Sequence, residues 1–135
     1  MQVQPYLFFD GRCDEALAFY KKTVGAQVET LMRWKDNPDQ GGCTEANKDK
    51  VMHAHVKIGD AAVLASDGSC GGKPEFKGFA LTISTKTAAE ADKTFAALSE
   101  GGQVQMPMSK TFFSERFGML ADKFGVGWMI IVEAK

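Results

Sequence analysis

Little in this chain points to a specialised environment. Three cysteines, Cys13, Cys43 and Cys70, are an odd number with no CxxC spacing, which fits reduced thiols better than a disulfide framework. No apolar run reaches 18 residues, and the opening MQVQPYLFF has no charged region followed by a long apolar stretch. A spanning helix and a secretory leader are therefore not expected, and the chain reads as cytoplasmic, with no membrane partner. Sixteen basic against 17 acidic residues leave a net charge of −1, which argues against a broad electrostatic attraction to nucleic acid. Histidine is nearly absent, with only His53 and His55. The G-x-G-x-x-G turn of dinucleotide sites and the GxxxxGK[ST] frame of phosphate loops are missing; Gly71-Gly72-Lys73 resembles the latter only superficially.

What the chain does have is a faint copy of itself, displaced by 76 residues. Phe19, Gly25, Gln27, Val28 and Met32 recur as Phe95, Gly101, Gln103, Val104 and Met108, Asp14 answers Glu90, and Thr23 answers Ser99. At 135 residues the chain is expected to be one domain, able to bury about two-thirds of its unfolded surface. It divides into module 1 at about 1–67, a glycine-rich connector at 68–77 and module 2 at about 78–135. In each module a strand-like run (Val3 to Phe9; Phe79 to Ser84) enters a helix (Asp14 to Val24; Ala88 to Glu100). A glycine with positive φ then launches a strand (Ala26 to Trp34; Gly102 to Ser109). Thr87 and Glu90 form a capping box, with Gly11 and Asp14 its weaker counterpart. Residues 35–50 are expected to form a long surface loop. Hairpins follow, Val51 to Ile58 with Ala61 to Ser66, and Arg116 to Ala121 with Trp128 to Glu133. A unit with one amphipathic helix has a second sheet face to cover, so the site of function is expected between the copies.

The runs PYLFFDGRCDEALAFYKKTVGA, HAHVKIGDAAVLASD and DKFGVGWMI resemble the PhnB-like branch of the vicinal oxygen chelate superfamily, the glyoxalase, bleomycin-resistance and extradiol dioxygenase group. The resemblance implies an α+β fold of two βαβββ modules, whose sheets form a cup around one site, usually in a homodimer. It also implies, in members that are metalloenzymes, four His, Gln or Glu ligands on the first and last strands of the modules. Matching those strands places Pro5, Leu64, Phe79 and Ile130 at the four positions, with Gln4 the one neighbouring donor. These side chains cannot bind a metal, so no cofactor is expected and metal-dependent activity is in doubt. Members of this branch often carry a methyltransferase name, but this chain lacks the glycine-rich turn and the doubly wound sheet that such enzymes commonly use.

Other candidates have more than one reading. His53 and His55, spaced i, i+2 on a strand, share one face; they can hold a metal with a third donor such as Glu115, Glu45 or Cys70, serve as pocket hydrogen-bonding or acid–base groups, or be satisfied polar positions. Cys13 is either a thiol activated at a helix start or a small residue filling space. Arg33, Glu115 and Arg116 are either at the cup mouth or solvated. Trp128 is either pocket wall, on one face with Ile130, or core. The leading function is small-molecule binding in an apolar cup walled by Trp128, Phe79, Ile130 and Leu64, with or without metal-independent catalysis. A lyase or dioxygenase with a metal site rebuilt around His53 and His55 is the alternative.

Overall fold

The computed structural model describes residues 1–36, 48–68 and 73–133. Most of the loop expected at 35–50, the centre of the connector, and with them Glu45, Cys43, Cys70 and Gly71-Gly72, lie outside the described residues. The chain divides into two compact units, Met1–Pro74 and Glu75–Lys135. The first runs β1 (Tyr6–Phe8), α1 (Cys13–Val24), β2 (Gln27–Arg33), a 3-10 turn (Trp34–Asp36), β3 (Val51–Ile58) and β4 (Ala61–Ser66). The second runs β5 (Leu81–Thr85), α2 (Ala88–Ser99), β6 (Gln103–Ser109), β7 (Phe117–Ala121) and β8 (Gly127–Val132). Each unit forms a four-stranded sheet of the same order, β1-β4-β3-β2 and β5-β8-β7-β6, with the first strand parallel to the last and the other pairs antiparallel. The internal repeat is thus a repeat of topology.

α1 buries Ala16, Leu17, Phe19 and Tyr20, the stripe that its apolar spacing predicts. It ends at Gly25 (φ +68°), whose N–H donates to the Tyr20 carbonyl; Gly101 adopts the same hand (φ +76°) after α2. A side chain at either position would strain the left-handed turn. The Thr87 hydroxyl accepts the Glu90 N–H at 3.2 Å, as expected. The start of α1 differs from expectation. Arg12 occupies the cap without a side-chain capping bond, its guanidinium pairing instead with Glu15, and the carboxylate of Asp67, just past β4, caps the helix. Its Oδ1 accepts the Gly11 and Cys13 N–H groups, both at 2.8 Å, and its Oδ2 accepts the Val51 N–H at 2.8 Å. Gly11 has no side chain to offer, so the acceptor comes from across the sheet.

Strand register fixes two faces in each unit. In the first, Leu7 pairs with Ala65 and Ala65 with Ala54; Phe9 continues this side and its ring lies 6.2 Å from that of Tyr20 on α1. This face is the core beneath α1. The other face carries Tyr6, Leu64 and His55 in one row, with Phe8, His53, Thr30 and Met32 beside them. In the second unit, Leu81, Trp128 and Leu120 form one row and Ile83, Ile130 and Gly118 the next. A Cβ on Gly118 would come within 2.8 Å of the Phe95 ring of α2, so this is the helix-covered face, and Trp128, Ile130 and Val132 on it are at most 2% exposed. Thr82, Met129 and Met119 make a row of the opposite, open face.

Candidate functional site

Of the six residues that the sequence nominates for the ligand, Leu64, His53 and His55 belong to the first unit and Trp128, Phe79 and Ile130 to the second. Leu64, His53 and His55 stand together, half-buried, on the open face of the first sheet. Trp128 and Ile130 stand on the helix-covered face of the second sheet and are core. The Trp128 indole N–H donates to Asp122 Oδ2 at 2.8 Å, and Asp122 Oδ1 accepts the Phe124 and Val126 N–H groups at 2.9 and 3.1 Å. The tryptophan therefore plugs the β7–β8 turn. Alternation along β8 does group Trp128 with Ile130, but it puts both under α2. Phe79 precedes β5, is 48% exposed, and meets the Phe76 ring edge-on at 6.4 Å.

Two neighbours complete the open face of the first sheet, and neither was singled out from sequence. The Tyr6 hydroxyl lies 3.2 Å from His53 Nδ1, and the Tyr6 ring stacks on Phe8 at 4.7 Å. Glu29, displaced by the irregularity between Val28 and Thr30, sets its Oε2 3.5 Å from His55 Nδ1. The available signal was strand alternation, which places Tyr6 and Phe8 together and opposite Leu7. The site is thus an apolar and aromatic floor (Tyr6, Phe8, Leu64) with two imidazoles, one hydrogen-bonded at Nδ1 by Tyr6 and the other with the Glu29 carboxylate 3.5 Å from its Nδ1.

The metal arrangement known for the superfamily does not fit these residues. Pro5, Leu64, Phe79 and Ile130 offer no side-chain nitrogen or oxygen. Ile130 faces α2, and its open-face neighbours Met129 and Ile131 are no better donors. Among the described residues no three His, Cys, Asp or Glu side chains converge in a group that could hold an ion. Glu29 stands beside His55, but the two histidines and this carboxylate do not make such a group, and of the third donors that the sequence suggests Glu45 and Cys70 lie outside the described residues.

The two candidate arginines pair with helix carboxylates. Arg33 clasps Asp14 of α1 through two bonds of 2.9 and 3.0 Å, and this hydrogen bonding holds the Asp14 carboxyl below its usual range. Arg116 reaches Asp92 of α2 at 2.8 and 3.0 Å. Both arginines tie a sheet to its own helix. Glu115 lines a shallow cavity of about 350 Å³ with Lys110, Phe112, Phe113 and Glu133.

Cys13 is fully buried. Burial, followed by the Asp67 and Asp14 carboxylates, pushes its thiol far above the ordinary range, so desolvation outweighs the helix N-terminus that would activate it. The native protein should leave Cys13 unmodified by iodoacetamide at pH 8, while the urea-unfolded chain alkylates fully, as read by peptide mass spectrometry. Above the thiol's ordinary pKa of about 8.5 the unfolded chain releases a proton that the native state retains. Stability relative to Cys13→Ala should therefore fall as pH rises, by up to about 1.4 kcal/mol per unit. A pH-independent difference would show that the thiol is not desolvated.

The comparisons bear on this geometry. A family model described as 3-demethylubiquinone-9 3-methyltransferase matches residues 1–131. The chain belongs to this family. Protein YjdN of Escherichia coli K12 is 31% identical over 140 residues, covering 98% of this chain and 95% of the relative. The solved structure of PA1353 from Pseudomonas aeruginosa is 38% identical, with a TM-score of 0.88 over 100% of this chain and 99% of that one. The PhnB protein of Bacillus cereus shares the fold at 24% identity, with a TM-score of 0.80 over 98% and 99% of the two chains. A glyoxylase/bleomycin resistance protein/dioxygenase domain from Frankia sp. EAN1pec shares the fold at 13% identity, with a TM-score of 0.70 over 99% and 98% of the two chains, and the paired βαβββ units are this α+β fold. No helix among the described residues is long and apolar enough to cross a membrane.

Proposed function

We propose that the chain binds a flat, aromatic or quinone-like small molecule on the open face of its first sheet, either holding it or acting on it without a metal. The observation that carries this reading is the make-up of that face. A floor of half-buried Tyr6 and Leu64 with exposed Phe8 is interrupted by two imidazoles, whose Nδ1 atoms lie 3.2 Å from the Tyr6 hydroxyl and 3.5 Å from the Glu29 carboxylate. A mostly apolar surface with a few placed polar groups is what small-molecule sites use. The quinone in the family description suggests the class of guest; the methyl transfer in it does not carry over, because no glycine-rich strand-to-helix turn follows β1 or β5. Among the described residues no donor set supports a metal-dependent lyase or dioxygenase reading.

The probe for the test is 2,3-dimethyl-1,4-naphthoquinone, whose methyl groups block attack by thiols. At a hundred times its dissociation constant it should stabilise the protein by about 2.7 kcal/mol, a rise of several degrees in Tm. Leu64→Glu should abolish the rise by placing a carboxylate in the floor. An unchanged Tm at saturation, or a full response in Leu64→Glu, refutes the site. The same reading makes the protein cytoplasmic and a homodimer. The dimer is supported by the frequency of two-fold assemblies and by Val28, Met32, Val104 and Met106 standing exposed on β2 and β6. Sedimentation showing only monomer at micromolar concentration would contradict it.

A further inference from the structure

The two imidazoles of the open face are not equivalent, and their partners fix how they differ. Tyr6 presents a phenolic O–H 3.2 Å from His53 Nδ1. A phenol is a good donor, while its oxygen, conjugated to the ring, is a poor acceptor. The favoured bond therefore runs from Tyr6 to the Nδ1 lone pair, which leaves the proton of neutral His53 on Nε2. At His55 the neighbour is the Glu29 carboxylate, with Oε2 3.5 Å from Nδ1. An ionised carboxylate only accepts, so it favours a proton on Nδ1 and leaves the Nε2 lone pair of neutral His55 free to accept. Among the described residues neither Nε2 has a hydrogen-bond partner. One strand thus presents a donor at His53 and an acceptor at His55. At i, i+2 spacing their backbones are about 7 Å apart, with the side chains on one face.

We infer that His53 and His55 form a polarity-reading pair that selects a guest with a hydrogen-bond acceptor at one end of a flat ring and a hydroxyl at the other. This is the chemistry of a 4-hydroxyaryl ketone, or of a semi-reduced or hydroxylated quinone. His53 Nε2–H donates to the carbonyl oxygen, His55 Nε2 accepts the guest hydroxyl, and the ring lies over Tyr6, Phe8 and Leu64. A guest with two acceptors, the naphthoquinone included, still binds through its ring but more weakly, because His55 then faces a lone pair, and one with only a hydroxyl leaves His53 without an acceptor; each mismatch strands a half-buried polar group. The inference rests on the aromatic-guest reading above and deepens it by naming the polarity pattern.

The first test needs no guest. Two-bond 1H–15N spectra of the histidine-labelled protein at pH 8.5 should show His53 as the Nε2–H tautomer and His55 as the Nδ1–H tautomer, with His53 losing that preference in Tyr6→Phe. The same tautomer on both rings overturns the inference. The second test compares three probes of similar shape by titration: 4-hydroxyacetophenone, 4-methoxyacetophenone and 4-ethylphenol. 4-Hydroxyacetophenone should bind at least tenfold more tightly than either of the others. His55→Phe should erase the margin over the methoxy compound, and His53→Phe the margin over the ethyl compound. If the naphthoquinone binds while the three probes bind equally or not at all, the aromatic-guest reading stands and the polarity pair falls. If neither the naphthoquinone nor any probe binds, both fall.

Discussion

Asp67→Ala should destabilise the protein by about 3–5 kcal/mol, because it strands two buried backbone N–H groups and a third that is part-buried. Asp67 is only 8% exposed, and its two oxygens serve the start of α1 through Gly11 and Cys13 and the start of β3 through Val51. Hydrogen bonds to a charged acceptor contribute more than neutral ones, and each orphaned donor adds its own desolvation cost. Asp67→Asn should cost less, since its amide oxygen can still serve one pair of donors while its NH2 group opposes the third N–H. Urea unfolding of the three proteins gives the comparison. A loss below about 1 kcal/mol for Asp67→Ala would mean that water or another side chain takes over the three donors, and that the carboxylate does not organise the unit. Because β3 carries His53 and His55, weaker probe binding should accompany the loss of stability.

The second large effect separates the two sheet faces. Ile130→Glu should leave the protein largely unfolded, or cost more than about 4 kcal/mol, since it buries an unpaired carboxylate beneath α2. Ile130 has no exposed surface, and a Cβ on its strand partner Gly118 would come within 2.5 Å of the Met108 sulfur and 2.8 Å of the Phe95 ring. Leu64→Glu, on the half-buried open face, should cost less than about 1.5 kcal/mol and yet abolish binding. Circular dichroism melts and probe titration of the two variants decide the matter. If Ile130→Glu folds normally and loses only binding, β8 presents the opposite face to the one described.

Features signalled locally were legible in the sequence. The hairpin Val51 to Ile58 and Ala61 to Ser66 has the bounds expected for it, because alternation and a Gly-Asp turn suffice to define it. Gly25, Gly101 and Thr87 terminate or start their helices as read. β1 and β5 are shorter than expected; Pro5 has no N–H for a ladder and contributes only its carbonyl, which accepts the Leu64 N–H at 2.9 Å. What escaped were relations across the sheet. The cap of α1 comes from a residue 54 positions beyond Cys13, where no local pattern points. Alternation along β8 correctly grouped Trp128 with Ile130 but could not say which side the helix covers. A glycine at position 118, inside an otherwise apolar strand, marks the close approach of α2 in retrospect. His53 and His55 were found because histidine is scarce here, whereas Tyr6 and Glu29, which set their tautomers, are common residue types that gain meaning only once β1, β2 and β3 are in register.

The central claim is that the open face of the first sheet, and not the Trp128 side of the second, receives the guest. Chemical-shift mapping of the labelled protein titrated with 2,3-dimethyl-1,4-naphthoquinone tests it most directly. The account predicts the largest shifts at Tyr6, Phe8, His53, His55 and Leu64, with the Trp128 indole and Ile130 methyl signals unmoved. Shifts concentrated on Trp128 and Ile130, or at the cavity beside Phe112 and Glu133, with the two histidines silent, would contradict it.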